Sequence, residues 1–195
     1  MSKQFFTYNF QKILNAIQEN PFNKVVESEF DPVQAGVVDI NGVTTGMGFL
    51  NSSYMSDYWG RDFFNNNEPA WGLNMDIARG YYIKLFNGVS ENDETSYEIS
   101  GDLVYDMTEC EVSKIYNNNN SIIRLLCNII NNSTDTSFNR IGVYKKIANK
   151  NTQADLSSTY TYALVGVIEL DTPVPFNAGD NYAVTVQLTR EITNV

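Results

Sequence analysis

A chain of 195 residues, 43% hydrophobic and 13% aromatic, is long enough to bury a sizeable core as one domain. A formal net charge of −10 with no histidine repels phosphate backbones and anionic lipid heads, so neither nucleic acid nor a membrane surface is expected as a partner. No segment approaches 18 consecutive apolar residues, so no membrane-spanning helix is expected. The opening MSKQFFTYNF has no basic region followed by a long apolar stretch, so synthesis in a cytoplasm without a signal peptide is expected.

Residues 3 to about 20 read as a helix. Phe6, Phe10, Ile13, Leu14 and Ile17 recur at three- and four-residue spacing and make an apolar stripe. Asn20-Pro21 ends it, because the residue before proline is pushed out of helical dihedrals. The stripe either packs on its own domain or serves as an arm that docks on a neighbouring subunit. In the second reading residues 1–22 are a helical arm ahead of a β domain at 23–195, and Phe6, Phe10 and Ile13 are candidate interface residues.

Between Lys24 and Arg79 the pattern is irregular. Lys24–Phe30 and Ala35–Ile40 are expected strands, followed by a hairpin-type turn at Asn41-Gly42. Gly46-Met47-Gly48 then reads as turn chemistry. Tyr54, Tyr58, Trp59, Phe63, Phe64 and Trp71 follow among Asn, Asp and Gly. So many rings on one loop cannot all bury against each other. They either roof the domain's own core or present a patch to a partner, where Trp and Tyr are enriched at hot spots. Tyr58, Trp59, Phe63, Phe64 and Trp71 complete the candidate interface.

From Gly80 onward the period becomes two. Tyr81–Phe86 is a strand closed by Asn87-Gly88, and Glu91–Thr95 is an acidic loop. Glu109–Tyr116 and Ser121–Ile130 flank the run Asn117–Asn120, a hairpin loop of the turn-forming residue that is the commonest in this chain. Ser121–Ile130 is apolar on both faces and reads as a central, doubly covered strand. Phe138–Ile147, Tyr160–Leu170 and Asn181–Arg190 follow. In the last, Tyr182, Val184, Val186 and Leu188 share one face and Ala183, Thr185, Gln187 and Thr189 the other. The expected fold is mainly β: an antiparallel sandwich or jelly roll with an N-terminal α-helix. If Tyr116 pairs with Ser121, Cys110 lies opposite Cys127. In a cytosolic protein they are expected to remain reduced thiols, used as small core side chains.

Chemistry is excluded step by step. Without histidine there is no Ser-His-Asp or Cys-His arrangement, and two cysteines alone cannot hold a structural zinc. Gly42–Gly48 lacks the Lys-Ser/Thr of a phosphate loop. Glu109 and Glu111, like Glu27, Glu29 and Asp31, sit at two-residue spacing, which strand alternation produces without any catalytic purpose. Neither catalytic residues nor a cofactor nor a metal site is expected.

Phe138-Asn-Arg-Ile-Gly-Val-Tyr144, Tyr162-Ala-Leu-Val-Gly-Val-Ile168 and the run from Val174 through Ala178-Gly179-Asp180 to Val186 carry a resemblance. They look like the Ile-Gly-hydrophobic-Tyr strand, the Leu-rich strand and the Val-x-x-Ala-Gly-Asp turn of accessory virion proteins of tailed bacteriophages. Gly80–Phe86 matches the position of their first sheet strand, so the likeness spans about residues 80–190. It implies a β-sandwich attached to a capsid, neck, tail or fibre, present in the virion as a homo-oligomer or as many copies on a lattice. Its partners would be itself and other virion proteins. A carbohydrate- or receptor-binding module is the other reading, because exposed rings between Asn and Asp also suit a host surface glycan.

Overall fold

The computed structural model describes residues 3–19, 31–49, 80–89, 92–117, 120–148 and 160–191. Among these residues the chain is mainly β, with a single short helix near the N-terminus. Its strands are β1 (Lys3–Phe6), β2 (Asp31–Val38), β3 (Thr44–Phe49), β4 (Tyr81–Asn87), β5 (Asp102–Asn117), β6 (Asn120–Ile130), β7 (Thr136–Ala148), β8 (Tyr160–Phe176) and β9 (Asn181–Glu191). Helix α1 is Tyr8–Glu19. Seven strands form one antiparallel sheet in the order β1-β8-β7-β4-β5-β6-β9, and β2 and β3 form a hairpin of their own.

Chain length forces that sheet to curl. β8 and β9 stand five spacings apart in the order, about 24 Å if the sheet were flat. Only residues 177–180 join Phe176 to Asn181, and five extended steps reach at most about 18 Å. The bend is made in β5, whose first half pairs with β4 up to Cys110 and whose second half pairs with β6 from Glu111 on. At the far side the two edge strands meet, where Gln4 Nε2 donates to the Gln187 carbonyl at 3.1 Å.

Asn131 ties the β6–β7 connection to the β8–β9 connection. It is 3% exposed, and its Nδ2 donates to the carbonyls of Thr134 (2.9 Å) and Phe176 (2.6 Å). Its Oδ1 accepts from Ser133 N–H, its own N–H donates to Asp180 O, and its carbonyl accepts from Gly179 N–H. Every polar group of this buried residue is therefore matched, which is the condition for burying an amide without a large penalty.

The concave side of the sheet is filled from every strand of the curl. Tyr81, Ile83 and Leu85 of β4 meet Leu125, Cys127 and Ile129 of β6, Ile141 and Val143 of β7, Ala163 and Val165 of β8, and Val184 and Val186 of β9. Phe176 is wholly buried, with the rings of Tyr105, Phe138 and Tyr182 edge-on to it at centroid distances of 5.2–6.2 Å. Alternation in β9 is as expected: Val184 and Val186 are buried while Ala183, Thr185 and Gln187 are exposed.

The N-terminal segment differs from the expected arm. Lys3–Phe6 is a strand, not the first turn of the helix, and pairs with Gly166–Glu169 of β8. The helix starts only after Thr7, whose hydroxyl donates to Leu164 O and whose N–H donates to Val165 O. Phe10 (4% exposed) and Ile13 (0%) enter the main core, and Phe6 stacks on Phe10 at 4.3 Å. An edge of β8 left open by the sheet order competes with helix formation for these four residues and wins. Phe10 and Ile13 are thus packed within their own chain and leave no surface for a neighbour.

Two further expectations are corrected. β6 is central, but among the described residues its second face is largely uncovered: Arg124, Asn128 and Ile130 are exposed and Leu126 is half-buried. Cys110 and Cys127 do stand opposite each other, since Tyr116↔Ser121 and Glu111↔Leu126 fix the register. They are joined as a disulfide across 4.8 Å between Cα atoms, not left as two thiols. That separation lies within the range a bridge needs, and compartment alone does not alter geometry.

Candidate interaction surface

The convex side of β8, β7 and β4 carries a second, smaller core of Phe86, Ile99, Tyr144, Leu164 and Val167. Its cover is the β4–β5 loop together with the β2–β3 turn. Glycines decide how closely this cover packs. A Cβ on Gly142 would lie 2.7 Å from Ile99 Cδ1 and 2.7 Å from Tyr144 Cε2, so the Ile-Gly-Val-Tyr sequence exists to lay the Tyr144 ring across a bare backbone. Gly80 does the same for Tyr82, with 2.8 Å to Tyr82 Cε2, at a φ of +101° that also favours glycine.

Polar side chains pin the loop to this face. The Tyr144 hydroxyl donates to Glu98 Oε1, and Lys84 Nζ lies 3.2 Å from Glu98 Oε2 and 4.0 Å from Asp106 Oδ1. Burial, and then the negative charge of Glu98, push the Tyr144 phenol well above the ordinary tyrosine range. Asn92 Nδ2 donates to Glu98 O, and Arg140 Nη1 reaches Asn92 Oδ1 at 3.4 Å. The Tyr144–Glu98–Lys84 contacts fasten the loop to the sheet.

Three rigid segments meet at one corner of the molecule. The β2–β3 turn is built on Asp39, 3% exposed, which accepts from Asn41 N–H, Val43 N–H and Thr161 Oγ1 at 2.9–3.0 Å. In the β4–β5 loop Asp93 accepts from Thr95 N–H and Oγ1, and these bonds hold its carboxyl below the usual carboxylate range. The start of α1 joins them: Tyr8 N–H donates to Glu94 O at 2.7 Å, and Asn9 exchanges two bonds with Val38. Gly42 (φ +76°) lets the Tyr97 ring approach, with 3.3 Å from a Cβ there to Tyr97 Cζ. Tyr8 (52% exposed), Val43 (53%) and Tyr97 (46%) are displayed on this scaffold.

Of the expected interface residues, Phe10 and Ile13 lie in the core and Phe6 packs partly buried against it. Tyr58, Trp59, Phe63, Phe64 and Trp71 lie outside the described residues, as do the strand expected at Lys24–Phe30 and the carboxylates Glu27 and Glu29. Gly46-Met47-Gly48 belongs to β3 and not to a turn. Glu109 and Glu111 are both exposed. Tyr8, Val43 and Tyr97 were hidden in the sequence because they come from three separated segments, each carrying one unremarkable side chain. Among the described residues no group of three or more His, Cys, Asp or Glu is placed to hold a metal ion, and no helix is long and apolar enough to cross a membrane. No family model, curated protein or solved structure matches the chain.

Proposed function

We propose that this protein is a structural component of a tailed-phage virion, an accessory part of capsid, neck, tail or fibre, acting through protein–protein assembly on a sandwich of the jelly-roll kind. The Tyr8–Val43–Tyr97 corner is the observation that carries the assembly role: exposed tyrosines on pre-ordered turns lose little entropy on docking and match the side chains that dominate interfaces. The resemblance supports the virion setting. Its three motifs fall on β7, on β8 and on the turn into β9, and β7 and β8 are neighbours in the sheet.

Deleting residues 1–20 would remove Phe10 and Ile13 from the core, so surface variants make the cleaner test. Light scattering on the wild type should give a defined oligomer, and Tyr8→Ser/Tyr97→Ser should lower its mass while leaving the far-UV spectrum unchanged. A wild-type monomer would defeat self-assembly through this corner. The glycan- or receptor-binding reading is favoured by one feature, two exposed tyrosines near Asn41 and Asp93. Saturable glycan binding by a wild-type monomer, lost in the same variant, would establish it instead.

A further inference from the structure

We propose that Asn87-Gly88 is a site of self-modification, where the Gly88 backbone nitrogen closes on the Asn87 side-chain amide and turns residue 87 into an acid. Asn87 ends β4, Gly88 follows at a φ of +117°, and Val89 beyond it is 98% exposed. Gly88 N–H donates to Asn87 Oδ1 at 2.9 Å, so the two groups that must react are already in contact. Both are held from β7: Asn87 Nδ2 donates to Ser137 Oγ at 3.3 Å, and Asn139 Nδ2 donates to Gly88 O at 3.0 Å. Groups fixed at contact distance react as though highly concentrated. Glycine leaves the attacking nitrogen without a shielding Cβ, and Gly88 is open to water.

Hydroxide takes the Gly88 amide proton, and the nitrogen attacks Asn87 Cγ. The Cγ–Nδ2 bond breaks, Nδ2 takes a proton from water and leaves as ammonia, and a succinimide ring remains. Water then opens the ring, at Cγ to give isoaspartate's isomer aspartate, or at the backbone carbonyl carbon of residue 87 to give isoaspartate. The net change is one water consumed and one ammonia released. Either product sets a carboxylate across from Asp102, the β5 partner of residue 87, where like charges repel.

The fold chooses between two identical local sequences, because the chain's other Asn-Gly pair also reads Asn41-Gly42-Val43. There Gly42 N–H donates to Asp39 O at 2.9 Å, and Asn41 Nδ2 turns back to Asp39 Oδ2 at 3.4 Å. Ring closure at Asn41 must first break these bonds, so it should run at least about tenfold more slowly than at Asn87. The test incubates the full-length protein in mildly alkaline buffer, native and in urea, and follows both asparagines by peptide mapping with mass spectrometry. In the native protein Asn87 should convert first, through the ammonia-loss species to aspartate and isoaspartate, with Asn41 lagging by that factor. In urea the two rates should become similar. A native Asn87 that stays intact while the unfolded chain reacts would overturn the proposal. So would equal native rates at the two sites, or a preference for Asn87 that persists unchanged in urea.

Discussion

Replacing Gly142 by alanine sets a methyl group 2.7 Å from Ile99 Cδ1, 2.7 Å from Tyr144 Cε2 and 2.9 Å from the Tyr144 hydroxyl. Neither neighbour is free to yield. Ile99 is 4% exposed, and Tyr144 is wholly buried with its hydroxyl fastened to Glu98. Overpacking of this kind costs roughly 1–3 kcal/mol. The stiffer unfolded chain of an alanine variant returns about 0.4–1 kcal/mol. The net loss should be about 1.5 kcal/mol, or a fall of about 3–6 °C in melting temperature for a chain of this size. Urea unfolding at constant m measures it. Ile99→Val removes the clashing Cδ1 at a cost of about 0.5–1.5 kcal/mol of its own. Combined with Gly142→Ala, the two losses should fall short of their sum by at least about 0.5 kcal/mol. A neutral alanine, or strict additivity, would refute the close approach of Tyr144 and Ile99 to the bare backbone.

Asn131→Asp turns an acceptor toward the carbonyls of Thr134 and Phe176 and should cost about 2–4 kcal/mol at pH 7. The new carboxyl would have a raised pKa in the fold, so stability should recover on acidification toward pH 4; a pH-independent loss in urea midpoint would contradict this. Burial raises the Tyr81 and Tyr144 phenols above their unfolded value near 10. Their contribution is complete below about pH 10 and lost above it, at up to about 1.4 kcal/mol per pH unit for each ring. Spectrophotometric titration should show these two phenols ionising only as the chain unfolds. Reducing the Cys110–Cys127 bridge, which spans a sequence separation of 17, should lower stability by about 3 kcal/mol, and the native protein should show no reactive thiol at these positions before reductant is added.

Alternation made β4, β7 and β9 legible, a continuous apolar run did the same for β6, and the Asn117–Asn120 turn fixed a register that the structure reproduces. What stayed hidden depends on tertiary context. Lys3–Phe6 has no local reason to be extended until β8 offers an edge. β8 runs on through Pro173 and Pro175 to Phe176, where proline would normally end a strand; among the described residues the β1 pairing stops at Glu169 and one side of β8 beyond it has no partner strand. The first half of β5, Asp102–Thr108, disguises its strand with two shifts of register against β4. The apolar composition of β6 predicts cover on both sides, yet Ile130 is 45% exposed. Tyr8, Val43 and Tyr97 could not be grouped without knowing that the helix start, one turn and one loop converge.

The shared strand β5 also sets how the molecule would carry a pull. Force applied to β4, β7 and β8 reaches β6 and β9 along the backbone of β5 as well as through the connections at 131–135 and 177–180, and the ladder of β5 changes partner between Cys110 and Glu111. Cys127 is bonded to β5 at that same step, so the change of partner is reinforced by a covalent bond. On either side of it the load meets several backbone hydrogen bonds acting together in shear. Peeling must therefore start at the ends, at the four residues of β1 or along β9. A part built this way resists tension through its middle and yields at its margins.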